Sequence, residues 1–411
     1  MKSLKQNWIV FVFLWVALGC ATSKTQLNRT QSLDKPYVIL VSIDGYRSDY
    51  TDLYSPPALT ALRARSASAA LLPVYPSKTF TNHYSIATGL YAENHGIVAN
   101  SFYDPQRKER YRLADRAKVE DGTWYGGEPI WVAAEKQGML AANFFWPGSE
   151  AAIQGVRPSY FIPYNESIAL SDRVQQVVKW LQLPADERPH FITLYFSEVD
   201  TAGHHFGPGS LQVKEAILKV DQAIGELVNK VQALPLPVNL VVVSDHGMQE
   251  VSTEKVEYLD DYTDLKGIRL EGEGPQVLLY AESPQILEKV YRDLKRRARH
   301  FHIFKRAEVP RRLHYRKNPR IGDAVIIARA PYSIGTHAKL KVEGGNHGFD
   351  VDVTPSMKAI FYASGPQVEG AQNLKDFRNI HVYPMILKIL GLQLATPIDG
   401  DIQILGGIIK K

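Results

Sequence analysis

Acidic residues and histidines follow three strand-like segments of this sequence. Each segment is a continuous apolar run, which is the pattern of a fully buried strand. The strands and the polar residues that follow them are residues 238–244 with Asp245 and His246, residues 37–43 with Asp44, and residues 191–196 with Asp200 and His204. Ligands of open α/β sheets bind outside the carboxyl ends of parallel strands, so we expect these side chains to meet in one crevice.

Carboxylates and imidazoles in this combination suit zinc or a similar divalent cation, and His347, between two glycine-rich turns, adds a further imidazole. A set of this size can hold two ions, which together clamp the attacking and leaving oxygens of a phosphoryl displacement. Thr79 opens a predicted helix after a polar turn, where free backbone N–H groups favour an anion. Its hydroxyl would be activated on one ion, which makes Thr79 the candidate nucleophile.

Each of these residues also has an ordinary structural explanation when it is taken singly. Asp44 precedes Gly45 and could form a turn, whereas Thr79 could cap a helix. Asp200 and His204 have a spacing that is common in surface pairs of a helix. The shared position at the ends of strands is what favours a common site over these separate explanations.

An alternation of strands and helices positions the candidate residues. Further helices are predicted at residues 56–68, 79–89, 129–137, 167–181, 211–234 and 379–390, further strands at residues 141–145 and 357–362, and a loop at residues 71–76. The alternation predicts an α/β fold with a central, mostly parallel sheet flanked by helices. Charged strand-like and helical pieces at residues 254–341 interrupt it, so we expect a smaller inserted lobe there.

The composition is that of an ordinary globular protein, with 45% hydrophobic and 22% charged residues among 411. The net charge of +5 is small for this length, and the basic residues cluster between Tyr291 and Arg320. This pattern favours a solvated face, so we expect no nucleic-acid polymer as a partner. We expect a monomer.

The first 20 residues have the pattern of an export signal. Lys2 and Lys5 precede an uncharged apolar run, residues 8–19, which is too short to span a bilayer, and Cys20 follows it. Cys20 resembles the lipidated residue of a bacterial lipoprotein, although simple cleavage and a retained anchor stay open because Ala17 stands where leucine is usual. We therefore expect a periplasmic, membrane-anchored protein. The predicted domains are a signal at 1–20, a polar linker at 21–35, a catalytic domain at 36–395 and a tail at 396–411.

Several segments together resemble the nucleotide pyrophosphatase/phosphodiesterases, a branch of the alkaline phosphatase superfamily, and suggest a bacterial member. The matching segments run in the family's order from about residue 37 to residue 391. They are residues 41–47, 76–83, 88–91, 95–98 with Asn100, 200–204, 244–248 and 345–348. Only Val199 departs from the family's pattern, because a proline often stands there.

The resemblance implies an alkaline-phosphatase-like core, two zinc ions and a covalent mechanism. One ion would be held by Asp200, His204 and His347, and the other by Asp44, Thr79, Asp245 and His246. Thr79 would attack phosphorus to give a threonine ester, which water then hydrolyses. Asn100 and the backbone N–H of Phe80 would cradle a non-bridging phosphoryl oxygen.

The sequence around Thr79 contains no arginine, which favours a phosphodiester over a dianionic monoester. The resemblance assigns Phe80, Tyr164 and Tyr195 to a slot for a nucleotide base, where each stacked aromatic contributes about 1–3 kcal/mol. Tyr195 lies in a buried-strand pattern and could instead pack in the core. We expect hydrolysis of phosphodiester and pyrophosphate bonds in nucleotides, with release of a nucleoside 5'-monophosphate.

Four alternatives stay open from the sequence. A phospholipid or choline phosphodiesterase could use the same scaffold, with its choice of substrate set by the inserted lobe. A phosphomonoesterase or a phosphonate hydrolase is also compatible with the ligand set. A non-catalytic, metal-binding lipoprotein would explain the signal and the ligands, but not the arrangement of Thr79, Phe80 and Asn100.

The substitution Cys20→Ser tests the expected lipid anchor. Because a serine hydroxyl cannot replace the thiol that would carry the lipid, we expect the variant to move from the membrane fraction to the soluble fraction of cells that express it. Ser23→Ala, three residues away, serves as the control and should fractionate like the wild type. Unchanged fractionation of the cysteine variant would contradict lipidation.

Overall fold

The computed structural model describes residues 26–410. The predicted signal at residues 1–20, with Cys20, lies outside the described residues. Within residues 26–410, every helix is too short or too polar to cross a bilayer.

The described chain alternates strands and helices along its length. The strands are β1 (Tyr37–Ile43), β2 (Ala67–Leu72), β3 (Ser101–Asp104), β4 (Glu109–Arg112), β5 (Ala141–Phe144), β6 (Tyr160–Ile162), β7 (Phe191–Phe196), β8 (Val238–Val243), β9 (Gln249–Glu250), β10 (Val256–Tyr258), β11 (Ile268–Glu271), β12 (Gln276–Ala281), β13 (Phe301–Lys305), β14 (Ala324–Ala328), β15 (Ser333–Gly335), β16 (Gly345–Asn346), β17 (Ala359–Ser364), β18 (Gln372–Asn373) and β19 (Phe377–Arg378). The α-helices are α1 (Tyr50–Tyr54), α2 (Pro57–Arg65), α3 (Thr79–Thr88), α4 (Ala92–His95), α5 (Arg116–Val119), α6 (Ile130–Lys136), α7 (Leu170–Leu181), α8 (Glu198–Phe206), α9 (Leu211–Gln232), α10 (Pro284–Arg297), α11 (Val382–Leu390) and α12 (Ile402–Leu405).

The central sheet has the strand order β18-β2-β17-β8-β1-β7-β5-β6, with β19 also paired to β2. Strands β8, β1, β7, β5 and β6 are parallel, whereas β17 is antiparallel to both of its neighbours. Ser42 on β1 lies beside Tyr195 on β7 and Val243 on β8, so these three strands end at the same edge. The predicted α/β fold with a mostly parallel sheet is confirmed.

Both faces of the central sheet are covered, which explains why its middle strands are apolar without interruption. Val38 and Leu40 on β1 face one apolar cluster, which contains side chains of α3, α6 and α11. Ile39 and Val41 face the opposite cluster, which contains side chains of α2, α7 and α9. Each fully buried side chain of this strand contributes about 1.5–3 kcal/mol. The core therefore fixes the strand ends that carry the candidate ligands.

A second, four-stranded sheet with the order β11-β12-β14-β13 lies within residues 254–341. Its strands are antiparallel, and α10 packs on one face. Val277 and Leu279 on β12 share a cluster with residues of α10, whereas Leu278 and Tyr280 join the cluster of the main domain. The lobe is thus anchored to the domain by alternate residues of one strand.

The predicted loop at residues 71–76 and the predicted helix at residues 56–68 are partly wrong. The helix ends at Arg65, and Ala67–Leu72 forms strand β2. This strand has the sequence ASAALL, in which alanine, a weak strand former, hides the strand pattern. Pairing with β17 supplies the stability that local propensity does not.

Residues 26–35, the described part of the predicted linker, pack on the domain. The side chain of Asn28 donates to the carbonyl oxygens of Ala185 and Arg188 at 3.0 and 2.7 Å and accepts from the backbone N–H of Leu140 at 2.8 Å. The polar residues of this segment suggested a free linker. In the structure, the side chain of Asn28 instead forms hydrogen bonds with backbone groups at the surface of the domain.

Candidate metal centre and active site

The structure places the seven predicted ligand residues in one cluster at the carboxyl edge of the central sheet. Asp44 follows β1, Asp245 and His246 follow β8, Asp200 and His204 lie one turn apart on α8, Thr79 is the first residue of α3, and His347 follows β16. The rings of His246 and His347 stack with 3.5 Å between their centres and join the two halves of the cluster.

The first half contains Asp200, His204 and His347. Nε2 of His347 lies 3.1 Å from Nε2 of His204 and 3.7 Å from Oδ1 of Asp200. The other carboxylate oxygen of Asp200 lies 3.5 Å from Nε2 of His204. Oxygen and nitrogen atoms of three residues therefore converge on one point.

The second half contains Asp44, Asp245, His246 and Thr79. Nε2 of His246 lies 2.9 Å from Oδ2 of Asp245, 3.4 Å from Oδ1 of Asp44 and 3.3 Å from Oγ1 of Thr79. The ligand atoms of Asp44, Asp245 and His246 lie within 4.8 Å of one another. The same holds for the ligand atoms of Asp200, His246 and His347. His246 thus lies at the border of two adjacent potential metal positions.

Gly45 allows the turns after β1 and β7 to approach each other. Its φ is +68°, and a Cβ atom at this position would lie 2.9 Å from Cα of Asp200. Its backbone N–H donates to Oδ1 of Asp245 at 3.2 Å. The Asp-Gly sequence therefore brings the acids of three strands into one place.

Backbone carbonyl groups orient the three histidines of the cluster. Nδ1 of His204, His246 and His347 lies 2.9, 2.9 and 2.8 Å from the carbonyl oxygens of Gly345, Gly247 and Ser77, respectively. Because a carbonyl oxygen only accepts, each Nδ1 carries the hydrogen and each neutral ring keeps a lone pair on Nε2. This is the arrangement of metal-ligating histidines, and it leaves the lone pairs of His204 and His347 facing each other.

One oxygen of each carboxylate in the cluster has no hydrogen-bond partner among the described residues. Oδ1 of Asp44, Oδ1 of Asp200 and Oδ2 of Asp245 are buried without a hydrogen bond. Burial, and then the charges of Asp245 and Asp200, raise the pKa of Asp44 well above its ordinary value. Burial and the neighbouring His246 lower the pKa of His347 well below the ordinary value. Divalent cations would supply the missing charge, so the donor set fits a metal centre.

The family model described as type I phosphodiesterase / nucleotide pyrophosphatase matches residues 38–350, which include every residue of the cluster. The chain belongs to this family. The type I phosphodiesterase / nucleotide pyrophosphatase family is a branch of the alkaline phosphatase superfamily, and the resemblance inferred from the motifs is confirmed.

Curated members of the family match almost the whole chain. Bovine ectonucleotide pyrophosphatase/phosphodiesterase family member 3 is 36% identical over 410 residues, which are 96% of this chain and 46% of the bovine protein. Human family member 1 is 36% identical over 97% of this chain and 44% of its own length. A venom phosphodiesterase of Naja atra is 35% identical over 97% of this chain and 49% of its own length. The chain spans about half the length of these relatives.

Solved structures of the family share the fold. Murine ectonucleotide pyrophosphatase/phosphodiesterase 5 superposes with a TM-score of 0.86 at 30% identity, over 91% of this chain and 100% of the murine one. An inactive threonine-to-alanine variant of the same murine protein, in complex with AMP, superposes equally well over 92% of this chain.

A cleft of about 320 Å³ opens beside the cluster of candidate metal ligands of this family member. Its floor contains Asp44, Thr79 and His347, and aromatic side chains form much of its wall. The aromatic residues that line it are Phe80, Phe145, Trp146, Tyr164 and Tyr195. All three aromatic residues predicted for a base slot therefore lie in this cleft.

The two predicted slot tyrosines differ in their surroundings. Tyr164 is 44% exposed, and its ring packs against Phe145 with 5.2 Å between centres. Tyr195 is only 8% exposed, and its hydroxyl donates to Oδ2 of Asp44 at 2.5 Å. Tyr195 thus orients a candidate metal ligand as well as contributing an edge to the cleft wall.

The predicted oxyanion cradle is arranged differently from the expectation. The backbone N–H of Phe80 donates to Oδ1 of Asn100 at 3.0 Å, so it is engaged rather than free. This bond turns Asn100 toward Thr79 and leaves its Nδ2 available as a donor. The side-chain amide of Asn100 is therefore the donor that remains for a phosphoryl oxygen.

The structure places in the cleft an arginine that is far from Thr79 in the sequence. Arg116, at the start of α5, lines the same cleft. Its guanidinium pairs with Glu150, and with Glu120 at 2.7 Å. The sequence around Thr79 contains no arginine, but the fold brings Arg116, together with Leu113 and Val119, to the cleft that Thr79 lines. The positive charge of Arg116 is nevertheless offset by two carboxylates.

The substitution Asp44→Asn tests the crowding of charge in the cluster. An acid whose pKa is raised in the folded state destabilises the fold as the pH rises above its unfolded pKa, so at pH 7 the Asp44 carboxylate is unfavourable without a cation. We expect the variant to unfold at a higher urea concentration than the wild type in a chelator, and to gain less from added zinc. Asp186→Asn, on an exposed turn, should change stability by no more than about 0.5 kcal/mol. Equal gains from zinc in wild type and Asp44→Asn would contradict a metal role for Asp44.

Proposed function

We propose that this protein is a zinc-dependent hydrolase that cleaves phosphodiester and pyrophosphate bonds in nucleotides and releases nucleoside 5'-monophosphates. The observation that carries the proposal is the position of the Thr79 hydroxyl, 3.3 Å from Nε2 of His246, between the metal cluster and an aromatic cleft. The curated relatives named as nucleotide pyrophosphatases and phosphodiesterases support it.

Two zinc ions fit the two halves of the cluster. Asp200, His204 and His347 would hold one ion, while Asp44, Asp245 and His246 would hold the other with Thr79. When bound, the ions would supply positive charge that favours the ionised threonine hydroxyl and offsets the charge of the phosphoryl group.

Thr79 has the position that a nucleophile requires. It is the first residue of the ten-residue helix α3, so its hydroxyl lies at the helix end that favours an anion. The Thr79 hydroxyl loses its proton to solvent, Oγ1 forms a bond to phosphorus, and the bond between phosphorus and the leaving oxygen breaks. The leaving group departs as an anion or takes up a proton from solvent. Water then hydrolyses the threonine ester, which returns the hydroxyl and releases the monophosphate. The inactive threonine-to-alanine variant of the murine relative supports this role.

The charges in the cleft favour a diester over a phosphate monoester. A monoesterase grips the second charge of its substrate with a free cation, whereas the guanidinium of Arg116 is already paired with Glu150 and Glu120. Leu113 and Val119 add apolar surface at the same wall. The space beside Thr79 therefore suits a neutral ester group.

The size and walls of the cleft favour a nucleotide over a lipid. Its volume of about 320 Å³ is near the lower limit of small-molecule pockets, about 300–1,000 Å³. Phe80 and Tyr164 offer aromatic faces, and stacking of a base on such a face contributes about 1–3 kcal/mol. The AMP complex of the murine relative supports the same class of substrate.

We propose export to the periplasm, with an anchor on Cys20 in a bacterial cell, and a monomeric protein. The support is the sequence of residues 1–20, which precede the described domain.

A panel of three chromogenic substrates tests the proposed reaction. Purified residues 21–411 with added zinc should hydrolyse the nitrophenyl ester of thymidine 5'-monophosphate with a kcat/KM at least about tenfold above that for nitrophenyl phosphate or nitrophenyl phosphocholine. Turnover of the monoester alone would exclude a diesterase. Turnover confined to the choline ester would instead show a lipid phosphodiesterase.

The variant Thr79→Ala tests the covalent step. Because the hydroxyl is the attacking group, kcat should fall by at least about 1,000-fold. The zinc content, measured by atomic emission, should stay close to that of the wild type, since six other ligand residues remain. Thr81→Ala, two residues further along the same helix, is the matched control. Retained turnover in Thr79→Ala would remove Thr79 as the nucleophile.

A further inference from the structure

A fourth histidine, His83, lies beneath the metal cluster and is fully buried. It is one helical turn after Thr79 on α3. Its Nδ1 atom lies 2.9 Å from the carbonyl oxygen of Thr79 and 3.3 Å from Oδ2 of Asp245. Its Nε2 atom lies 2.8 Å from Oγ of Ser42 on β1. One ring therefore contacts the nucleophile residue, a candidate metal ligand and the central sheet.

The hydrogen-bond partners determine the orientation of the His83 ring. The Thr79 carbonyl oxygen can only accept, so Nδ1 of His83 carries the hydrogen and donates. Nε2 shares its hydrogen bond with the hydroxyl of Ser42. With both nitrogen atoms engaged, the ring cannot turn without loss of a buried hydrogen bond.

His83 differs from the three histidines of the cluster in the direction of Nε2. In His204, His246 and His347 this atom faces the other ligand atoms, whereas in His83 it faces Ser42. His83 is therefore not a ligand.

The same ring supports the wall of the cleft. It meets the rings of Trp146 and Tyr195 edge to face, with centres 5.0 and 5.3 Å away. Nε1 of Trp146 donates to the backbone carbonyl of His83 at 3.1 Å, and Tyr195 in turn donates to Asp44. His83 thus lies where the nucleophile helix, the second metal half and the cleft wall meet.

We propose that His83 is a positioning residue that holds the backbone of Thr79 in register with Asp245. The inference rests on the proposed function, because it assigns Thr79 as the nucleophile and Asp245 as a metal ligand. One hydrogen bond of its ring holds the carbonyl group of Thr79 on helix α3, and the other holds Ser42 on strand β1. The ring therefore connects the start of the helix to the central sheet. A displacement of the nucleophile by about 1 Å costs on the order of 100-fold in rate.

Two substitutions at His83 separate the roles of its nitrogen atoms. Asparagine can place an amide N–H near the position of Nδ1, whereas glutamine reaches toward Ser42 and loses the donor to Thr79. We expect His83→Gln to lower kcat by about 10–100-fold with little change in KM, and His83→Asn to stay within about threefold of the wild type. Turnover is measured with the nitrophenyl ester of thymidine 5'-monophosphate.

A cobalt-substituted protein provides a readout that does not depend on turnover. Because His83 contacts Asp245, the visible d–d absorption of bound Co²⁺ should shift in His83→Gln and resemble the wild type in His83→Asn. His95→Gln is the matched control, since His95 is also fully buried and hydrogen-bonded to a serine, Ser85, at 2.9 Å. This control should lose stability without a change in kcat/KM or in the cobalt spectrum.

Wild-type kcat and cobalt absorption in His83→Gln would overturn the proposal, as would equal effects in His83→Gln and His95→Gln. If neither His83 variant folds, the variant Ser42→Ala tests the proposal, because it removes the hydroxyl that orients the His83 ring. An unchanged cobalt spectrum and an unchanged kcat in Ser42→Ala would also overturn the proposal. If the wild type does not hydrolyse the nucleotide ester, the proposed function fails, whereas the cobalt comparison still tests the contact with Asp245.

Discussion

The site depends on one constraint, which is that three carboxylates are held close together at the carboxyl edge of the central sheet. Asp44, Asp200 and Asp245 each retain a buried oxygen without a hydrogen bond, and burial together with the charges of Asp245 and Asp200 raises the pKa of Asp44 well above its ordinary value. Divalent cations bound between these carboxylates would replace the repulsion between negative charges with attraction to positive charge. Metal binding would therefore stabilise the folded chain.

The central sheet supplies the rigidity that keeps those charges together. Strands β1, β7 and β8 are buried on both faces, and their pairing places Ser42, Tyr195 and Val243 side by side just before the ligands. A shift of one residue in any strand would turn buried side chains to the wrong face, so register is strongly fixed. The geometry of the ligands at the strand ends follows from that register.

The sequence predicts what depends on continuous local patterns. Asp44 and Asp245 end long runs of β-branched residues, so their placement at a sheet edge could be predicted without a structure. Strand β2 could not, since its alanines give no strand pattern and pairing with β17 stabilises it. Arg116 could not be placed near Thr79 either, because the loops that join them are not periodic. His83 has no local signal that separates it from a core histidine, and only its distances to Thr79 and Asp245 distinguish it.

The sheet and the loops supply different parts of the site. With this arrangement, the same sheet could support the cleavage of different esters. The residues proposed to activate phosphorus lie at strand ends or the start of α3, whereas the cleft wall comes from Phe80, Trp146, Tyr164 and the segment that contains Arg116. Tyr195 belongs to both groups, because it lines the cleft and donates to Asp44. Loops can vary around this tyrosine, but the tyrosine itself connects the wall of the cleft to Asp44, one of the proposed metal ligands.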